Sequence, residues 1–349
     1  MLNYLYIFLP PFFLALIITP FWLTISQRSG FLDLPQEHKI HSKPMPTMGG
    51  IVIIIAFSLC LWGYYLFANR AEIHLTYLVG LTLASIIIVV LGVYDDLWGC
   101  NAGKKLLVQL IAALVLYQFG FFIQEITNPF DNSIYLGFLK LPLTILWVLL
   151  IINAINLVDG IDGLASGVVL ISGLTLFFIA LNHQEYSAAI MSLILVGSIA
   201  GFLLYNLPPA KIFLGDTGSM FLGLIIAAIS LLENRKSTVT ITLLLPIVAL
   251  GFPILDTIYA FLRRLLKGMS PFQGDTGHLH HNLLDLGLST WKAVLLIYLF
   301  CVYLSISAYI ISLLPKQYAL LILILLAIPI FIWLATLKYL GKSLKGKSE

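Results

Sequence analysis

Charged side chains are scarce in this chain: Asp, Glu, Lys and Arg make up 10% of its 349 residues, against about 25% in an ordinary soluble domain. With so little charge, a globule of this size could not coat its own surface. Cysteine is also rare, at three residues. Cys60, Cys100 and Cys301 lie far apart, which excludes a disulfide framework and a cysteine metal site and leaves them as small apolar packing residues. What the chain has instead is apolar mass, 60% hydrophobic with a mean hydropathy of +1.02. That composition excludes a soluble enzyme, a disordered chain and a nucleic-acid-binding module, and it predicts an integral membrane protein.

A spanning helix needs roughly 20 mostly apolar residues. Interruptions by charge, Pro and Gly leave eleven such runs, at 3–25, 50–68, 75–93, 105–123, 137–154, 164–181, 187–205, 218–232, 239–262, 291–313 and 318–338. The expected fold class is therefore all-α, a polytopic transmembrane bundle forming a single domain over residues 1–349, with a basic tail at 339–349. No Lys or Arg precedes the first run and no small-residue cleavage site follows it, so it reads as a retained span. Fourteen of the 19 Lys and Arg residues fall in one set of alternating segments, the C-terminal tail included. Because cytoplasmic loops are enriched in these residues, the N-terminus is expected outside and the C-terminus in the cytoplasm.

Ionisable groups near spans mark places of function, and on that topology they gather on the cytoplasmic side. The pair Asp95-Asp96 ends the third run. Two adjacent carboxylates repel, so they need water, a cation or a substrate's metal to offset them; a plain span terminus facing solvent is the dull alternative. The segment Asn153-Ala154-Ile155-Asn156-Leu157-Val158-Asp159-Gly160-Ile161-Asp162-Gly163 puts Asn156 and Asp159 on one face if helical, and Asp162 extends that face by a turn. Gly215-Asp216-Thr217-Gly218-Ser219 opens the eighth run. It can be read as a helix cap, as a helix N-terminus whose amides face phosphate while Asp216 holds a hard cation, or as both at once. Finally His278-Leu279-His280-His281 follows Asp275 and the basic residues Arg263, Arg264 and Lys267. Abundant Asp and Asn oxygens without matching cysteines favour Mg²⁺, or Mn²⁺, over zinc, and imidazoles beside Arg and Lys suit phosphate oxygens.

Hard oxygen donors, a basic neighbourhood and a Gly-rich helix start point to a diphosphate, because Mg²⁺ binds such groups through only one or two protein carboxylates. Placement at the membrane face suggests a lipid as second substrate. A transporter would instead carry its charges near the middle of its spans.

Pro46-Thr47-Met48-Gly49-Gly50, Asp95-Asp96, Asn156 to Gly163, Gly215 to Ser219 and His278 to His281, in that order, resemble the polyprenyl-phosphate N-acetylhexosamine-1-phosphate transferases of glycosyltransferase family 4. The likeness runs from about residue 33 to 290. It implies transfer of a sugar-1-phosphate from a UDP-N-acetylhexosamine to undecaprenyl phosphate in a bacterial inner membrane, with release of UMP and the active site on the cytoplasmic face. By motif, Asn156 and Asp216 would hold Mg²⁺, Asp95 would deprotonate or position the lipid phosphate with Asp96 beside it, and Lys105 would bind phosphate. Asp159 and Asp162 would shape the nucleotide pocket; His278, His280 and His281 would contact the sugar-phosphate, with Arg264 nearby. Lys39, His41 and Lys43 would meet the lipid phosphate, and a homodimer stays open.

His-Leu-His-His after an Asp resembles the branch that starts O-antigen, enterobacterial common antigen or teichoic acid linkage units. The phospho-N-acetylmuramoyl-pentapeptide transferase of peptidoglycan synthesis, with three consecutive histidines, ranks second. Thr276 and Asn282 stand where branch members often carry Arg or Lys, which leaves the sugar open, a 6-deoxy-N-acetylhexosamine included.

Overall fold

Backbone polar groups that enter a bilayer must be satisfied inside their own segment, and a helix does this. A computed structural model describes residues 2–33, 44–68, 72–126, 134–232, 244–266, 268, 279–315 and 318. In it the apolar runs are helices: α1 (Leu2–Ser29), α2 (Gly50–Phe67), α3 (Leu75–Trp98), α4 (Ala102–Gln118), α5 (Lys140–Val158), α6 (Leu164–Asn182), α7 (Tyr186–Asn206), α8 (Gly215–Leu232), α9 (Leu244–Ala249), α10 (Gly251–Leu266), α11 (Leu279–Asp285) and α12 (Thr290–Leu313). Among the described residues eight helices, namely α1 to α3, α5 to α8 and α12, are long and apolar enough to cross a membrane. The fourth run is α4, whose 17 residues make about 26 Å of helix. Beyond Tyr318 the eleventh expected run lies outside the described residues. Two antiparallel two-residue ladders, β1 (Leu32–Asp33) with β2 (Met45–Pro46) and β3 (Glu125–Ile126) with β4 (Ile134–Tyr135), tie loops at the bundle ends.

The ninth run is not the single helix that its hydropathy suggests. It is broken at Leu250 into α9 and α10. Pro253 has no N–H, and its ring pushes against the carbonyl four residues before it, that of Ala249. The Ala249 carbonyl turns instead to the hydroxyl of Ser172 on α6, at 2.8 Å. A similar repair occurs in α1, which stays continuous through Pro10, Pro11 and Pro20. There the Leu16 carbonyl, orphaned by Pro20, lies 3.4 Å from the Tyr205 hydroxyl of α7.

The centre of the bundle is α8. Of its apolar window 89% is buried, against 17% for α1, so α8 is walled by protein while α1 faces outward, as all-round apolarity allows. α1 is nevertheless fastened to α7 through small residues. A Cβ on Gly197 would meet the Phe8 carbonyl oxygen at 2.5 Å, and one on Gly201 would meet that of Phe12 at 2.3 Å. Gly197 and Gly201 thus form a small-xxx-small face that lets two backbones approach closely. Gly201→Leu is expected to force α1 off α7 and destabilise the protein by about 1–3 kcal/mol. Cys301 is 1% exposed, so a thiol-reactive dye added during thermal unfolding in detergent reads the change. A melting temperature equal to that of the unsubstituted protein would contradict the packing argument.

A candidate active site at one end of the bundle

The ends of α3, α5 and α7 and the starts of α2, α4, α6 and α8 meet at one end of the bundle, and the sequence motifs lie there. α3 finishes with Asp95 and Asp96. Neighbouring residues on a helix point about 100° apart, so the two carboxylates face different partners.

Asp96 faces α8. Its Oδ1 accepts the Asp216 N–H at 2.8 Å, and its Oδ2 accepts the Thr217 N–H at 3.0 Å and the Thr217 hydroxyl at 2.5 Å. The first amides of a helix have no partner inside it, and here a carboxylate from another helix supplies one. This corrects the expectation that the amides at the α8 start face phosphate: those of Asp216 and Thr217 are already committed to Asp96. Close packing makes the contact feasible. A Cβ at Gly92 would lie 2.4 Å from the Thr217 Cα, and one at Gly50 would lie 2.1 Å from the Gly218 Cα. Gly215, with φ +78°, turns the chain into α8 through a conformation that side chains disfavour. The Pro46–Gly50 motif is the outer brace of this turn. Phe213 donates to the Pro46 carbonyl at 2.8 Å, and Gly49 and Gly50 donate to those of Phe213 and Leu214, each at 2.9 Å.

Asp95 is buried and faces the other way, in an ion pair with Lys105 of α4. The Lys105 ammonium also lies 3.8 Å from Asp216 Oδ2. Asn101 starts α4, its side chain accepting the Lys104 N–H at 2.9 Å, which sets Lys105 in the first turn. From α5, the Asn156 amide donates to Asp216 Oδ1 at 2.5 Å and to the Ser219 hydroxyl at 2.9 Å. Side chains of four helices, α3, α4, α5 and α8, therefore converge on one group. One ammonium shared between two carboxylates leaves this pocket with an excess of negative charge.

Asp159 follows α5 by one residue and feels that excess. Burial first, and then the negative charges of Asp216, Asp96 and Asp162, hold its carboxyl well above the usual range. A carboxyl whose folded pKa is raised binds its proton more tightly in the folded state. Its contribution is therefore intact below the unfolded value near 4 and is lost as pH rises through the folded value. Without divalent cations, the melting temperature in detergent is expected to fall as pH rises above about 4, and Asp159→Asn to flatten the fall. A profile identical in the variant would show that Asp159 does not carry it.

Asp162 acts locally. Its Oδ2 accepts the Ala210 N–H at 2.9 Å, clipping the loop between α7 and α8 onto the loop before α6. Asn206 completes that clip, accepting from Ser166 and donating to the Ile212 carbonyl, each at 2.9 Å. Arg264 is buried on α10. His280 and His281 belong to α11, their side chains outside the described residues. His278, Lys43, Lys39, His41, Lys267 and Asp275 lie outside the described residues altogether. Beneath the site is a polar contact that the motifs do not announce. Asn153 of α5 donates to Gln109 of α4 at 2.7 Å, one turn below Asn156 and Lys105. Ser219 closes the Gly215–Ser219 motif, but the motif does not show that its partner is Asn156. In both cases the available signal was an amide or hydroxyl inside an otherwise apolar run, which is costly unless paired.

Among the described residues no group of three His, Cys, Asp or Glu side chains could hold a metal ion. The donors present, Asp216 with Asn156 and Asp95 close by, fit a hard cation that takes the rest of its ligands from substrate phosphates and water.

Helices of spanning length that gather carboxylates, a lysine and an asparagine at one end define a multi-pass membrane protein with a polar site at one end of its bundle. More narrowly, the chain belongs to glycosyl transferase family 4, whose model matches residues 78–234, from α3 to just past α8. It is 40% identical over 295 residues to a probable undecaprenyl-phosphate N-acetylglucosaminyl 1-phosphate transferase of Bacillus subtilis (strain 168), covering 84% of this chain and 81% of that one. A decaprenyl-phosphate N-acetylglucosaminephosphotransferase of Mycolicibacterium smegmatis (strain ATCC 700084 / mc(2)155) is 35% identical over 82% of this chain and 77% of its own. A phospho-N-acetylmuramoyl-pentapeptide-transferase of Anoxybacillus flavithermus (strain DSM 21510 / WK1) is 31% identical over 81% and 90%.

Proposed function

We propose that the protein transfers N-acetylhexosamine 1-phosphate from a UDP-N-acetylhexosamine to undecaprenyl phosphate, releasing UMP and forming the first lipid-diphosphate sugar of a cell-envelope polysaccharide. The observation that carries this reading is the convergence of Asp95, Lys105, Asn156 and Asp216 from four helices on one polar pocket at the bundle end. In the proposed orientation eleven spans place that end at the cytoplasmic face of the inner membrane, in keeping with the basic residues of its loops. Donor and lipid phosphate then meet where one arrives from water and the other from the bilayer.

In the reaction, an oxygen of the lipid phosphate attacks the β-phosphorus of the UDP-sugar, and the bond from that phosphorus to the bridging oxygen breaks, so UMP leaves. Asp95 accepts the proton of a protonated lipid phosphate, or holds the phosphate in line through Lys105. Lys105 is placed to follow negative charge as it develops, since its ammonium reaches both Asp95 and Asp216. Asp216 and Asn156 would hold Mg²⁺, which would neutralise the diphosphate when bound. Asp96 keeps the start of α8, and with it Asp216, in place. Asp159 and Asp162 would shape the nucleotide pocket, and His278, His280 and His281 would contact the sugar-phosphate. Phosphoryl transfer is largely alignment and electrostatics, which such a set provides.

The test is to incubate the purified protein with undecaprenyl phosphate, Mg²⁺ and a panel of UDP-N-acetyl sugars, UDP-N-acetylmuramoyl-pentapeptide included. Glycolipid and UMP are expected with UDP-N-acetylglucosamine or a related hexosamine. Product from none of the donors defeats the reading, and product from the pentapeptide donor alone moves it to peptidoglycan synthesis.

A further inference from the structure

A buried carboxylate outside the pocket touches the motif that the pocket itself does not reach. Asp256 lies on α10, one turn after Pro253, and is 0% exposed. Its Oδ1 accepts the backbone N–H of Leu279 at 2.7 Å. Leu279 is the second residue of His278-Leu279-His280-His281 and the first of α11. Its side chain is also buried, in an apolar cluster with Leu283, Phe252 and Ile297, so the contact fixes backbone and side chain of the motif together.

We propose that Asp256 is a positioning residue: by taking the Leu279 amide, it sets the height and rotation at which the histidine segment is presented to the sugar-phosphate. The proposal rests on the transferase reading for what the histidines act upon, but the contact itself can be tested without turnover. Three features support it. The acceptor belongs to a helix that the break at Leu250 separates from α9, so α10 starts anew and carries Asp256 in its second turn. The bond joins residues 23 positions apart across a buried interface, where an unmade hydrogen bond is costly. The linked segment bears the imidazoles, so tilting α11 would move them without altering any of their own atoms.

For the Leu279 contact the required group is an oxygen acceptor at the Oδ1 position, and that separates positioning from acid or base chemistry. Asp256→Asn keeps such an oxygen; Asp256→Leu fills the space without one. In full-length protein purified in detergent, backbone deuterium exchange at the Leu279 amide, read in peptides that begin several residues before it, is expected to rise by on the order of tenfold to hundredfold for Asp256→Leu and to stay near the original rate for Asp256→Asn. In the UMP-release assay, kcat is expected to fall by a similar factor for Asp256→Leu, with KM for the UDP-sugar changed less, and Asp256→Asn to recover most of kcat. Should Asp256→Leu prove too unstable to purify, Asp256→Ser, whose shorter hydroxyl cannot reach the amide, takes its place. Unchanged exchange in the acceptor-less variant overturns the contact. An Asp256→Asn variant as slow in turnover as Asp256→Leu, with its exchange protected, overturns the positioning role. Absence of UMP from unsubstituted protein defeats the transferase reading but leaves the exchange result standing.

Discussion

Asp216→Asn is expected to lower UMP release by at least 10²–10³-fold, the scale for removing one preorganised electrostatic group from a reacting centre, while leaving the melting temperature nearly unchanged. Side chains of two other helices point to Asp216. Asn156 donates to one oxygen at 2.5 Å and the Lys105 ammonium lies 3.8 Å from the other. An asparagine of the same size must place its NH₂ opposite one of these donors, so one contact becomes donor against donor. It also removes the negative charge that would hold a hard cation, and the Mg²⁺ concentration giving half-maximal rate should rise together with the fall in kcat. The fold survives because the α8 start is held through the backbone N–H of residue 216, which the substitution keeps. The measurement is initial UMP release against Mg²⁺ for both proteins. Undiminished activity with an unshifted Mg²⁺ dependence would end the metal assignment and the placement of the diphosphate with it.

The motifs were legible because polar residues stand out in an apolar chain, and because residues meant to meet at one membrane face recur at alternate ends of consecutive spans. Asn156 and Asp216, on different spans, lie within hydrogen-bond distance. The distinct orientations of Asp95 and Asp96 were not legible. A doubled residue looks like one feature in sequence, and only the roughly 100° step of a helix turns it into two, one facing Lys105 and the other the α8 amides. The break at Leu250 did carry a signal, Gly251 and Pro253, but hydropathy averages over such punctuation and returns one long run. Asp256 and the pair Gln109 and Asn153 gave only the hint that any polar group in an apolar stretch needs a partner. Which partner it takes depends on how helices far apart in sequence are packed.

That division of the aspartate pair yields the second large effect. Asp95→Ala and Asp96→Ala are both expected to abolish turnover, so activity alone cannot tell them apart, and stability should. Removing Asp96 strands the amides of Asp216 and Thr217 and the Thr217 hydroxyl. Thr217 is 0% exposed and water has little access to replace the lost acceptor, so the cost is about 2–5 kcal/mol and the melting temperature should fall by several degrees. Removing Asp95 leaves Lys105 within reach of Asp216. It also relieves the repulsion of two carboxylates that share one ammonium, so Asp95→Ala should melt close to the unsubstituted protein. Mg²⁺ adds a second contrast. If Asp96 works by holding α8, its loss displaces Asp216 and weakens the protection that Mg²⁺ gives against heat, whereas a protein lacking only Asp95 keeps most of it. Thermal unfolding of the three proteins with and without Mg²⁺ decides the matter. Equal melting of Asp96→Ala and the unsubstituted protein would return Asp96 to a direct part in the chemistry.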